Sequence, residues 1–490
     1  MLRERDDTQS VPAAASADGN QPFLAPSPRA MRALGALGLL GVLASVLAVT
    51  AGAAGAPSPL VPGRSGGWPD WLSGPLHALG LGIGTSGFQA WTLAMCAGYV
   101  AVLVAVSALP GRAIAATIAL ANLALLLGPP LLSQDVFGYL AFARLGVLHG
   151  LDPYTHVAAE APVDAVFPFI GWPFQHSPYG PLFTLGSYPL ALLGLGGGLW
   201  ALKALAIAAS LGAVALTALA ARRMGHSAKA AAAFVGLNPV LLELAAGGAH
   251  NDTLVLLALA AALLLGAGAS PRPRAAVAAL VAGVGVKASA GLVIPFLVLT
   301  PTRARERARV ALAATASLVL LATIATAGFG VNALGFVDAL SEQQQLIATH
   351  SIPQETARWL GLAGLPGWWR DLYLVGFAAV LALTLWRTAR GADWRTMAGW
   401  ATLALLLTTA WLLPWYAIWA LPLAALGDSG RLRAATLAVC AYAILIHLPL
   451  ADPLLSPPRH VVTALRVTVD DHVVFAGLQV ERHTALDLGG

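Results

Sequence analysis

The chain has 490 residues, of which 58% are hydrophobic and only 10% charged; its mean hydropathy is +0.75, and soluble domains use ~45–50% apolar residues. This composition excludes an ordinary soluble globule and describes a polytopic membrane protein. The formal net charge of +5 does not mark a nucleic-acid binder, because the Arg residues fall in short clusters between apolar runs, as in cytoplasmic membrane loops.

In chain order, residues 1–30 are rich in Ala, Ser, Pro, Asp and Gln and are read as a disordered cytoplasmic tail. Apolar runs follow at about 31–53, 90–108, 113–132, 198–221, 228–247, 252–269, 274–287, 289–300, 309–327, 370–388, 396–411, 414–427 and 432–450. At ~20 residues per crossing, fewer inside a bundle, they predict about 13 transmembrane helices and an all-α fold. Cys96 and Cys440 lie inside these runs and give neither a metal spacing nor a disulfide framework.

Charge orients the spans. Arg29 with Arg32, Arg112, Arg222 with Arg223 and Lys229, Arg272 with Arg274, Arg303 to Arg309, Arg387 to Arg395, and Arg431 with Arg433 share one side if the N-terminus is cytoplasmic and the C-terminus outside. The segment 179–195 is apolar enough to cross, but counting it would place Arg222, Arg223 and Lys229 outside. It is therefore read as a re-entrant or interfacial helix. A membrane domain over 31–452 results, with outer loops at 133–197 and 328–369 and an extracytoplasmic tail at 453–490 to which no role is assigned. The cytoplasmic links are short and basic, and Gly194-Leu195-Gly196-Gly197-Gly198 is not a dinucleotide fingerprint after a strand. No ATP-driven mechanism is visible.

Polar residues capable of chemistry concentrate in the outer segments. Asp135 follows an apolar run in Ser133-Gln134-Asp135-Val136-Phe137-Gly138-Tyr139, a position that suits either a catalytic base or a helix N-cap. Phe137, Leu140, Ala141, Leu145 and Leu148 recur at helical spacing, with Asp135, Tyr139 and Phe142 on the opposite face, as in an interfacial helix presenting an acid to water. Arg144 falls in the apolar stripe and fits it by snorkelling to lipid phosphate. Gly150-Leu151-Asp152-Pro153-Tyr154 forms a turn in which Asp152 is structural or assists substrate binding. His176-Ser177-Pro178-Tyr179-Gly180-Pro181 either stiffens a helix start or offers Tyr179 for stacking on a sugar.

Asn238-Pro239 interrupts an apolar run, Glu243 follows within it, and Gly247-Gly248-Ala249-His250-Asn251-Asp252 ends it. Such a turn is too polar to face lipid; Asn251 and Asp252 suit capping or ligand binding, whereas His250 with Asp252 alone makes a weak metal site. Lys287 requires an anionic partner, for which a lipid phosphate, Asp252 and Glu243 all qualify. Trp415-Tyr416 after Pro414 reads as an interfacial anchor.

Together these motifs resemble the GT-C superfamily of membrane glycosyltransferases, and within it the actinobacterial polyprenol-phosphomannose-dependent α-1,6-mannosyltransferases that build the mannan core of lipomannan. The likeness rests on Gln134 to Tyr139, Gly150 to Tyr154, Ser177 to Leu182, Leu237-Asn238-Pro239 with Gly248 to Asp252, and Lys287 ahead of Leu292 to Pro295, and covers most of 90–450. It implies a GT-C fold in the plasma membrane and an extracytoplasmic active site with Asp135 as base. It also implies inverting transfer of mannose from a polyprenyl-phosphate donor to a lipid-anchored α-1,6-mannan. Tyr139, Asp152, Tyr179, His250, Asn251, Asp252 and Lys287 become substrate-binding candidates, His250 and Lys287 at the phosphate. The expected partners are the lipid-linked donor, the lipid-linked glycan acceptor and membrane lipids, with no nucleic acid. No cofactor is expected, dependence on a divalent cation being left open. A transferase for another lipid-linked sugar, a lipid or sugar transporter, and a binding scaffold are the alternatives.

Overall fold

Each expected apolar run contains helix in the structure, a computed structural model that describes residues 27–55, 58, 60, 61, 69–448, 474, 475, 478 and 479. The expected tail over 1–26, and all of 453–490 except a two-residue β-ribbon of Val474–Phe475 with Leu478–Gln479, lie outside the described residues. The first helix, Pro28–Ala54, begins ahead of the expected start because the Ser27 hydroxyl accepts the Ala30 N–H and Pro28 occupies the first turn. It packs closely on Thr85–Ala105: a Cβ on Gly38 would lie 2.6 Å from the Gly98 carbonyl oxygen. Small residues let two backbones approach in this way where lipid offers no hydrophobic drive.

By length and apolar content, five helical segments among the described residues are able to cross a membrane: Pro28–Ala54, Thr85–Ala108, Gly194–Arg223, Ala304–Gln345 and Gly367–Ala389. A sixth forms if Ala228–Gly236 and Val240–Ala246, bent by 48°, count as one span. Helix length therefore supports fewer crossings than the 13 expected, because several runs form short pieces such as Gly111–Leu127, Asp252–Leu265 and Pro273–Val284. The segment read as re-entrant contains the helix Pro181–Ala191 of 11 residues, about 16 Å long at ~1.5 Å per residue and too short to cross.

Side chains bond the backbone at the break at Asn238-Pro239. Proline has no N–H to donate, the Asn238 side chain accepts the Val240 N–H at 3.0 Å, and the Tyr99 hydroxyl donates to the Phe234 carbonyl at 2.6 Å. Beyond the break the chain forms a π-helix, Val240–Ala246, the wide turn that often marks functional positions.

The basic links gather at one end of the bundle. Lys229 Nζ donates to the carbonyls of Ser107 and Leu109, Arg223 to Leu264, Arg395 to Gly266 and Arg433 to Gly427. The segments 133–197 and 328–369 meet, where His176 Nδ1 lies 3.0 Å from Glu342 Oε2, and the Ala348 N–H donates to the Ala410 carbonyl. The segment 328–369 contains the helices Gly335–Gln345 and Ile352–Trp359.

Candidate active site

Asp135 opens the helix Asp135–Leu148. Its own N–H is held by the Ser133 hydroxyl at 3.1 Å, and the helix has no side-chain cap, so the capping role is not taken up. The expectation of an interfacial helix with one wet face is corrected. Val136, Phe137, Tyr139, Leu140, Ala141, Phe142, Ala143 and Leu145 are all buried, because later residues cover both faces: Tyr179 and Phe183 pack edge-on against Tyr139 on the face expected to be wet, and Phe169 stacks on Phe137 of the apolar stripe at 5.1 Å. Arg144 does not snorkel. Its Nε donates to Asp164 Oδ1 at 2.7 Å, and His149 Nε2 lies 2.7 Å from Oδ2. Burial pushes the Asp164 carboxyl up, but hydrogen bonds from Arg144, the Val166 N–H and His149 outweigh it and hold the group below the usual carboxylate range.

Asp135 Oδ2 lies 3.3 Å from His250 Nδ1 without the alignment of a hydrogen bond. The Asp135 side chain is 12% exposed and that of His250 fully buried. His250 lies flat on Trp415, ring centroids 3.7 Å apart. The turn that carries it needs its glycines: a Cβ on Gly248 would lie 2.7 Å from His250 Nε2, and one on Gly247 would lie 2.3 Å from the Glu243 carbonyl oxygen.

Asn251 and Asp252 begin the helix Asp252–Leu265, yet neither side chain caps it. The Tyr139 hydroxyl donates to Asn251 Oδ1 and accepts the Asn251 N–H, both at 3.3 Å. Burial first, then the Tyr179 hydroxyl and the Asp135 and Asp252 carboxylates, push the Tyr139 phenol far up, so it works as a neutral hydrogen-bonding group. Asp252 is wholly buried and accepts from Lys287 Nζ with both oxygens at 3.0 Å, and from Trp419 Nε1 at 2.9 Å. Of the partners foreseen within the chain for Lys287, Asp252 is the one found. Its ammonium also sits 4.2 Å from the centroid of Tyr416, which stacks on Trp419.

Asp152 stays within its own turn, where Oδ1 accepts the Tyr154 N–H at 2.9 Å. The turn serves the site indirectly, since the Tyr154 hydroxyl donates to the Tyr179 carbonyl at 2.8 Å. Glu243 does not pair with Lys287; both its oxygens accept from the Thr92 hydroxyl at 3.0 Å. Trp415, Tyr416 and Trp419 build the site wall rather than anchor the bundle, and they were the residues the sequence disguised. Trp419 lies three residues after Tyr416, one helical turn, and the two rings stack, while the adjacent Trp415 turns to His250.

A cavity of ≈ 300 Å³ opens beside Lys287, lined also by Ser289, Gln343, Gln344, Trp411, Tyr416 and Trp419. Around it and Asp135, several buried groups have no hydrogen-bond partner among the described residues: both His250 ring nitrogens, Asn251 Nδ2 and Trp415 Nε1. Unpaired buried groups are costly in a finished fold and ordinary in a site built for a polar ligand. Among the described residues, no three His, Cys, Asp or Glu side chains converge as metal ligands.

Apolar helices of membrane-spanning length, with the Asp135 carboxylate and the buried Lys287–Asp252 pair in one polar cluster, fit the class of membrane proteins. Residues 32–303 match the family described as alpha-(1->6)-mannopyranosyltransferase, N-terminal domain, and residues 365–476 match the MptB C-terminal domain. The chain belongs to this α-(1→6)-mannopyranosyltransferase family. It is also similar to a probable alpha-(1->6)-mannopyranosyltransferase of Mycolicibacterium smegmatis, 33% identical over 156 residues, which are 29% of this chain and 26% of that relative's length. No solved structure matches the chain.

Proposed function

We propose that this chain is an inverting α-1,6-mannosyltransferase that takes mannose from a polyprenyl-phosphate donor and places it on a lipid-anchored α-1,6-mannan. The bundle would sit in the plasma membrane with 13 crossings in all, N-terminus inside and C-terminus outside, its Asp135 end extracytoplasmic. The observation that carries the reading is Asp135 itself: a carboxylate at the water-facing edge of a buried polar cluster, with no hydrogen bond to Oδ1 among the described residues.

Asp135 takes the proton of the acceptor 6-hydroxyl as that oxygen bonds to the anomeric carbon. The bond from that carbon to the phosphate oxygen breaks, the electron pair leaves with the lipid phosphate, and a β-linked donor gives an α-mannoside in one displacement. The unpaired nitrogens of Asn251, Trp415 and His250 suit sugar hydroxyls and phosphate oxygens, and fixed donors of this kind favour charge that develops on a leaving group. Lys287 and Asp252 form the adjoining wall. A groove of ≈ 880 Å³ between Gly367–Ala389, Trp394–Thr408 and Gly430–Leu445, lined by side chains such as Leu403, Leu407 and Val439, offers room for a polyprenyl tail.

Membranes containing the protein, given radiolabelled mannosyl phospholipid and a short α-1,6-mannoside, are expected to form one new α-1,6 linkage per transfer. Linkage analysis checks this, and a product with another sugar or linkage would replace the donor or acceptor assignment. A second test concerns the His250 turn. Gly248→Ala is expected to lower turnover by about 10–100-fold, because the added methyl displaces the His250 ring; turnover equal to wild type would show that the ring's position is immaterial.

A further inference from the structure

Two buried charged side chains have no part in the chemistry above. Lys203, a third of the way along Gly194–Arg223, has no solvent exposure, and its Nζ donates to the Pro129 carbonyl at 3.1 Å, with no carboxylate partner among the described residues. Glu243, 2% exposed, is held by the Thr92 hydroxyl alone. Charges at such depth are costly, and a chain that retains them uses them.

What they hold is specific. Pro129 begins the link that delivers Asp135, and Glu243 belongs to the π-helix that delivers His250. These two links contain the only non-glycine residues with positive φ among the described residues, Leu132 at +66° and Ala249 at +56°. The links are joined, because the Leu131 N–H donates to the Gly247 carbonyl at 2.9 Å. Left-handed backbone at Leu or Ala persists only where its surroundings over-determine it. Each strained residue thus lies just ahead of one member of the Asp135–His250 pair and just after one anchored segment.

We propose that Lys203 and Glu243 are positioning residues, clamping the Pro129 and π-helix segments so that Asp135 and His250 face each other across the Leu131–Gly247 bond. The proposal rests on the assignment of Asp135 as base. Neither residue touches substrate; each acts through backbone.

The test compares purified Lys203→Met, Glu243→Leu and Glu243→Gln with wild type, measuring kcat and KM for mannosyl phospholipid together with Tm. Met matches the length of Lys without its charge, and exchanging a buried charge for an apolar group of similar volume is commonly neutral or stabilising. The expected result is therefore a split: kcat lower by about 10–100-fold in Lys203→Met and Glu243→Leu, donor KM within about twofold, and Tm unchanged or raised. Glu243→Gln, which can still accept the Thr92 proton, is expected to keep most of its turnover. In an Asp135→Asn background, Lys203→Met is expected to remove nothing further, since the group it positions has lost its function.

Wild-type kcat in Lys203→Met or Glu243→Leu would overturn the proposal. So would a loss of activity that follows a loss of folded protein, which would make the two residues structural. Asp135→Asn with full turnover would overturn the base assignment and this proposal with it. An inactive Asp135→Asn beside a fully active Lys203→Met would overturn the positioning role alone.

Discussion

Asp135→Asn is expected to lower mannosyl transfer by about 10²–10⁴-fold, the range a positioned general base supplies, while the protein inserts and folds as before. Asn keeps the volume of Asp and its contact with the His250 ring but cannot take a proton from the acceptor hydroxyl. The side chain caps no helix and, among the described residues, supports no ion pair besides the His250 contact, so little stability is at stake. Turnover of radiolabelled mannosyl phospholipid by purified variant and wild type, with Tm measured on the same samples, separates the two effects. Substantial retained turnover would sink the assignment.

Lys287→Met is expected to cost about 3–5 kcal/mol of stability, the penalty for removing one partner of a buried pair. Asp252 is wholly buried, and after the change its carboxylate keeps only the Trp419 N–H. Adding Asp252→Asn to Lys287→Met removes the stranded charge and is expected to restore most of the loss. Thermal unfolding of the two single variants and the double variant measures the coupling directly. If Lys287→Met instead keeps its Tm and raises KM for the lipid donor, the main partner of Lys287 is the substrate phosphate rather than Asp252.

Much of the site was legible because polar residues are scarce in an apolar chain. Asp135, the His250 to Asp252 turn and Lys287 stand out on composition alone, and the structure brings them together. Tyr139 and Tyr179 also join the cluster, whereas Asp152 remains in its turn. The amphipathic stripe after Asp135 misled because alternating apolar and polar faces were inferred from one helix in isolation. Tyr179 and Phe183 arrive from later in the chain and bury Tyr139 and Phe142, the face that seemed wet. Arg144 was misjudged for the same reason, its partner Asp164 lying on a loop that sequence spacing does not relate to it.

The aromatic wall was hidden for a different reason. Trp and Tyr beside an apolar run read as anchors at a membrane surface, and only contact with His250, Lys287 and Asp252 distinguishes a site wall from an anchor. Lys203 and Thr92 were silent in the sequence because their partners are a carbonyl and a carboxylate on distant helices.

The sequence by itself determined the class of the molecule and where its helices run, since hydropathy and the placement of Lys and Arg are local properties that a membrane reads one segment at a time. Motif order was enough to point to the mannosyltransferase family. Tertiary structure alone decided which charges pair, which helices are long enough to cross, and how Asp135 meets His250. The Asp135–His250 contact joins segments more than a hundred residues apart, the Lys287–Asp252 and Arg144–Asp164 pairs join residues 35 and 20 apart that no helical spacing relates, and two strained backbone positions must be held by surrounding packing.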